Sequence, residues 1–496
     1  MHMDNKKMLT NGIIYFCSSI MTQLVNLILI PLYTRNLSQE QFGQFDLIMG
    51  IQQLLALGIT LGVYSGMIRF FNEFDDRHEL KNTSLSFSML WGGGCIALVW
   101  LLNPILFPYL FDSAPNSYLY LPYVVMSSVL MCLNLTYSSF YSMQFKAMKS
   151  SAVQVSSIVS TTLFVVIFFL KLDMGIIGIL QAQLFGNLTV FVVLFLTDIT
   201  NFRFTLKMNK LKKMLSFGTG LILGDISAWV LALSDRYLIN GFMNLSSVAI
   251  YSIGYKIGML INPVFINPFV SVFTPFKFKV YKEADGVARI NKMFKLYNFA
   301  GWFGVLSLSI FANIAVSLVA TDEYRDAMYL VPIISLSYFL SGAVAFYSLG
   351  LHIANKMKLN SSITLCSAII NVICNLILIP SLGIYGSAIS TVIAYAITNY
   401  GFYHFGSKYY PLGLGLLNPY KYLTVILPLY GIYLVCMQWI HSIMIEVLLN
   451  AVLCVGFVFL SLLFNFITRE ELQSVWNQVL KRRTTKLVAK GVNSES

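Results

Sequence analysis

Gly175-Ile176-Ile177-Gly178 opens a long apolar run, and Gly383-Ile384-Tyr385-Gly386 opens another one 208 residues later. At the same offset Asn36-Leu37-Ser38 returns as Asn244-Leu245-Ser246, and Arg69-Phe70 returns as Lys277-Phe278. Three matches in one register point to an internal duplication. Around them lie apolar stretches of about 20 residues, the length needed to cross ~30 Å of hydrocarbon. The chain therefore reads as two copies of a membrane-embedded unit.

Composition agrees. Hydrophobic residues make up 57% of the chain and charged residues 11%, with a mean hydropathy of +0.72, which excludes a soluble globular protein. Fourteen spans are expected: 11–34, 43–68, 84–110, 118–141, 152–171, 174–198, 214–240, 248–275, 297–320, 328–353, 362–380, 383–405, 420–440 and 444–466. Segments of this length are helices, since barrel strands need only about 10 residues. The expected fold is an all-α polytopic membrane protein of about 14 transmembrane helices. The seven cysteines fall inside spans without a Cys-x-x-Cys pair, so neither a disulfide framework nor a metal site is expected.

The duplication divides the chain. Residues 1–198 form an N-terminal lobe of six spans, 199–213 a cytoplasmic linker, and 214–405 a second lobe of six. Spans 13 and 14 occupy 406–466, outside the duplication, and 467–496 is a basic cytoplasmic tail. Six is even, so the two lobes run parallel around an axis along the membrane normal and face a central cavity. With both termini cytoplasmic, 28 of the 33 Lys and Arg residues fall on the inner side, as the positive-inside rule requires. The basic residues are scattered over many segments instead of forming one stripe, which argues against nucleic-acid binding. The amphipathic loop 276–296 is expected to lie on the membrane surface, its lysines near anionic lipid.

The chain resembles the polysaccharide-flippase (O-antigen or capsule type) branch of the multidrug/oligosaccharidyl-lipid/polysaccharide exporter superfamily. The residues that carry the resemblance are Asn11-Gly12, Pro31-Leu32-Tyr33-Thr34-Arg35-Asn36-Leu37, Phe42-Gly43-Gln44-Phe45, and Leu61-Gly62 before Arg69-Phe70-Phe71. Asp235-Arg236 and Gly383-Ile384-Tyr385-Gly386-Ser387-Ala388 complete the ordered set. The resemblance implies two six-helix lobes, alternating access, and translocation of a polyprenyl-diphosphate-linked oligosaccharide from the inner to the outer leaflet. It also implies a bacterial or archaeal plasma membrane, with polysaccharide assembly enzymes as partners.

A charge inside a span is costly, so each one asks for a partner or a role. Arg35, Arg69, Asp235, Arg236 and Lys256 are the candidates for lining a cavity and touching substrate, with the two cations Arg236 and Lys256 facing diphosphate oxygens. The alternative is a buried ion cluster that joins Asp235 to Lys256 or to the neighbours of Arg236 and fixes two helices. For Arg69 the alternative is a topology-setting anchor. Asp46 is expected near Arg35, and Asp46 and Asp225 are candidates for a coupling-ion site, proton or sodium. Pro31, Pro263 and Pro268 are expected to bend spans 1 and 8.

No phosphate-binding Gly-x4-Gly-Lys-Ser/Thr run and no His-Glu-x-x-His pair occurs. The outer loops are too short to carry a catalytic domain, so the chain is expected to be a carrier without cofactors and not an enzyme. Two other readings stand beside the flippase. One is an ion-coupled multidrug exporter of the same superfamily, and the other a membrane-embedded glycan polymerase or transferase.

Overall fold

The structure, a computed structural model, describes residues 5–110, 117–440 and 442–471. The basic tail expected at 467–496 lies outside the described residues from 472 onward. Every regular element among the described residues is helical. In chain order they are α1 (Asn5–Asn36), α2 (Gln39–Thr60), α3 (Val63–Phe70), α4 (Arg77–Leu110), α5 (Tyr120–Met143), α6 (Ala147–Val165), α7 (Gly175–Asp198), α8 (Met208–Phe242) and α9 (Leu245–Gly258). Then follow α10 (Asn267–Val280), α11 (Gly286–Ile310), α12 (Ala312–Val319), α13 (Leu330–Tyr347), α14 (Leu349–Ile353), α15 (Met357–Leu382), α16 (Ile384–Gly406), α17 (Leu423–Met437) and α18 (Ile443–Leu463).

The repeated tripeptides and glycines turn out to be helix starts. Ser38 and Gln41 form a reciprocal capping box at the head of α2, and Asn244 Oδ1 accepts the Ser247 N–H at 2.8 Å at the head of α9. Gly175 and Gly383 both take a left-handed backbone, with φ of +59° and +60°. Side chains are disfavoured there, which explains why glycine sits at both positions.

Among the described residues, twelve helical runs are long and apolar enough to cross a membrane, and thirteen if α11 and α12, bent by 56° at their junction, count as one span. The count of fourteen is not reached, and the difference lies at two places. One is the α11–α12 bend, and the other is segment 383–405. That segment does form a helix, α16, but its Ser, Thr, Asn and Tyr residues leave it too polar to qualify. The span read as 248–275 is interrupted at Pro263 by a π-helical turn over Asn262–Ile266, whereas α1 continues through Pro31.

The helices form two compact units. The first holds Met1–Ser252, Leu318–Arg325 and Ala368–Ser387. In it α8 packs on α2 and α3: the Trp229 indole donates to the Gly50 carbonyl at 3.0 Å and the Tyr237 hydroxyl to that of Leu47 at 2.9 Å. Glycines allow close backbone approach, as is common between membrane helices. A Cβ on Gly43 would lie 2.0 Å from the Leu245 carbonyl oxygen, a backbone atom that cannot rotate away. Gly43→Ala is therefore expected to lower the melting temperature of the detergent-purified protein, with a cost on the order of 1–3 kcal/mol. Gly58→Ala, at a site with nothing within 4 Å, should leave it unchanged in the same measurement.

The second unit holds Ile253–Ser317, Asp326–Ser367 and Ala388–Ser496. Its core is aromatic. Phe273 stacks on Phe346 with centroids 4.0 Å apart, Tyr297 stacks on Phe339, and Trp302 is buried among them. α18 joins this core from the side, where Asn450 donates to the Ile310 carbonyl at 2.9 Å and Asn313 donates to Glu446 at 3.0 Å. Most apolar residues of the expected surface loop 276–296 belong to the same core, although Phe278 is exposed. Val280, Ile290 and Phe294 are buried, because α10 and α11 extend toward each other and leave only a short turn between them.

Candidate functional site

Buried charge is rare enough in membrane-spanning helices that each instance identifies a special position. The first unit contains two such clusters. In one, α8 places Asp235 and Arg236 against Asp46 of α2, all three buried. Arg236 Nε donates to Asp46 Oδ2 at 2.7 Å and Nη1 to the Ala232 carbonyl at 2.8 Å, with Asp235 Oδ1 at 3.4 Å. Two hydroxyls on α9 complete the cluster: Tyr251 donates to Asp235 and Ser252 to Asp46. The guanidinium also lies over the Tyr251 ring, 5.8 Å from its centroid. The hydroxyls add hydrogen-bond donors to the two carboxylates that flank the guanidinium.

In the other cluster, Lys81 of α4 forms an ion pair with Asp198 at the end of α7, and the Tyr137 hydroxyl of α5 donates to the same carboxylate oxygen at 3.3 Å. The Lys81 ammonium sits over the rings of Tyr137 and Phe140. Three helices thus meet on one neutral pair.

The second unit holds a cation of a different kind. Lys277, near the end of α10, is buried, with 3% of its surface exposed. Its ammonium donates to the Ala345 carbonyl at 2.6 Å and lies between the Phe273 and Phe278 rings, 5.5 Å from each centroid. No ion pair to Lys277 occurs among the described residues. Lys277 lines a cavity of about 430 Å³ together with Asn262, Asn267, Thr274, Ser341 and His352. His352 Nδ1 is buried there without a hydrogen-bond partner. A buried ammonium beside a vacant imidazole nitrogen and several neutral polar groups is arranged to receive an anion with hydrogen-bonding oxygens.

The residues singled out in the sequence separate into three groups. Asp46, Asp235 and Arg236 come together, and Asp46 pairs with Arg236 instead of Arg35. Arg35 is exposed in the last turn of α1, and Arg69 is exposed and bonded to Glu73 at 2.6 Å, one turn along the same chain segment. Asp225 stands exposed at the midpoint of α8, and Lys256 is half-buried in the last turn of α9. Lys81 and Lys277 went unrecognised because both sit near span ends, where a lysine reads as an interfacial anchor. For Lys277 the one available signal was its 208-residue correspondence with Arg69.

Comparison with known proteins adds to this geometry. Residues 8–281 match the model of the family described as polysaccharide biosynthesis protein. A 108-residue stretch is 28% identical to the "probable low-salt glycan biosynthesis flippase Agl15" of Haloferax volcanii, covering 22% of each chain. The match therefore spans about a fifth of that relative's length. Among solved structures, the fold is similar to that of the lipid II flippase MurJ in an inward closed conformation, with a TM-score of 0.70 at 16% identity over 92% of this chain and 99% of that one. An inward-facing multidrug resistance MATE family transporter gives 0.62 at 17% identity, over 78% and 94% of the two chains. At these identities the structural likeness establishes the fold.

Proposed function

The chain belongs to the polysaccharide biosynthesis protein family, and from that premise we propose that it carries a polyprenyl-diphosphate-linked oligosaccharide from the inner to the outer leaflet. The observation that carries this reading is Lys277, a buried cation within a membrane-spanning run, at a cavity that several neutral polar side chains line and with no carboxylate paired to it among the described residues. An anionic head group bearing hydroxyls matches that lining, and it cannot cross hydrocarbon without such a lining. Two similar proteins, a lipid II flippase and a probable glycan biosynthesis flippase, support it.

In this reading 1–198 and 214–405 act as two lobes around the route, with spans 13 and 14 added outside and both termini cytoplasmic. On that orientation α2 begins and α8 ends on the outer side. The Asp46–Arg236 contact then latches the outer end of the route and must open in each cycle. Lys256 and Asp225 line the polar path, and Arg35 and Arg69 mark its outer and inner rims. Polysaccharide assembly enzymes on either face supply and consume the cargo.

Deleting the gene should abolish surface glycan while lipid-linked repeat units accumulate on the inner leaflet. Complementation with Lys256→Ala is expected to fail and with Lys256→Arg to succeed in part. Full rescue by the alanine variant removes Lys256 from the path. A second reading, an ion-coupled exporter, draws on the exposed Asp225 at mid-span and on the fold shared with MATE transporters. Normal glycan together with altered dye efflux in the deletion strain would decide for it.

A further inference from the structure

A second polar cavity, of about 240 Å³, lies in the second unit away from Lys277. Asn291, Lys295 and Asn298 line it from one face of α11, at positions separated by one and two helical turns. Gly413, Lys421 and Phe466 close the opposite side. Each asparagine has its amide nitrogen committed: Asn291 Nδ2 donates to the Leu412 carbonyl and Asn298 Nδ2 to that of Phe294, both at 2.9 Å. Those bonds fix the amide orientation and leave both Oδ1 atoms as acceptors, and both are buried without a hydrogen-bond partner. Asn298 as a whole is 4% exposed. Buried acceptors left open in this way are costly unless a donor arrives.

The charged groups supply the other half of the recognition. Lys295 pairs with Glu471 at 3.3 Å. Lys421 makes no ion pair among the described residues and packs its ammonium over Phe466, 4.8 Å from the ring centroid. Among the described residues, two lysines against one glutamate give the site a net positive charge. Its ligand must therefore combine an anion for the lysines with hydroxyl donors for the two asparagine oxygens. A ligand whose donors are ammonium groups would meet two like charges.

We propose that this cavity binds a phosphorylated polyol. The site lies at the first turn of the apolar run Asn418–Met437, a depth at which a phosphoglycerol lipid head group and a soluble polyol phosphate both have access. It is separate from the transported cargo, so its test does not depend on the flippase reading.

The full-length protein in detergent should retain phosphatidylglycerol in native mass spectrometry at least tenfold better than phosphatidylcholine of matched acyl chains. Lys421→Gln should lower that retention by about tenfold, the size expected for one charge-assisted hydrogen bond, while Lys421→Arg keeps it. Glycerol 3-phosphate supplies the soluble arm. Trp302, one turn beyond Asn298, donates to the Pro419 carbonyl at 2.7 Å, so binding should shift a fluorescence component that Trp302→Phe removes. A shift with glycerol 3-phosphate and no lipid preference assigns the site to a soluble ligand. Equal retention of both lipids together with no fluorescence shift overturns the proposal. So does undiminished binding by a Lys421→Gln protein of unchanged melting temperature.

Discussion

Arg236→Met will sharply lower the melting temperature of the purified protein and eliminate its ability to restore surface glycan. The guanidinium sits between Asp46 and Asp235, and removing one partner of a buried ion pair typically costs about 3–5 kcal/mol. Asp46→Asn is expected to cost less, because the amide still accepts from Arg236 and Ser252. The pair-swapped variant, Asp46→Arg with Arg236→Asp, should recover part of the lost melting temperature. If the contact is a latch that opens during transport, stability and transport will separate. A variant that replaces Asp46, Asp235 and Arg236 with leucine, asparagine and methionine, leaving no buried charge of the three behind, should then fold yet export poorly. Export at the normal rate from that folded variant would reduce the cluster to a fixed strut.

The second large effect is expected at Lys277. Lys277→Met keeps the aliphatic stem between Phe273 and Phe278 but removes the donor to Ala345 and the charge facing the cavity. Because no carboxylate is left behind unpaired, protein yield and melting temperature should change little. Export should fall by on the order of ten- to a hundredfold, the worth of a charge-assisted hydrogen bond to substrate at about 1.5–3 kcal/mol. Lys277→Arg should preserve much of it. Accumulation of lipid-linked intermediates in a complemented deletion strain measures the effect, and unimpaired export by the methionine variant would remove Lys277 from the route.

Much of the architecture was legible because hydropathy, helix caps and turn glycines are local signals. Gly175, Gly383, Ser38 and Asn244 mark helix starts by chemistry confined to a few residues. Charge pairing is different, since it joins residues far apart in the chain. Asp46 and Arg236 are each conspicuous inside a span, yet 190 residues separate them, and Lys81 and Asp198 are 117 apart. Arg69 and Lys277 stand at matching positions of the 208-residue repeat read from the sequence, but packing gives them different surroundings. Arg69 is solvated and pairs within its own segment, whereas the chain around Ala345 closes over Lys277. Burial of that kind depends on a helix 68 residues away and has no signature in the neighbouring sequence.

The polarity of α16 bears on how the protein is made. Ser387, Ser390, Thr391, Thr398 and Asn399 along it are all buried, and Asn399 donates to the Leu340 carbonyl at 2.8 Å. A nascent segment so rich in hydroxyls and amides partitions poorly into lipid by itself. Its insertion is therefore expected to draw on helices made before it, such as α13, whose Leu340 carbonyl Asn399 meets.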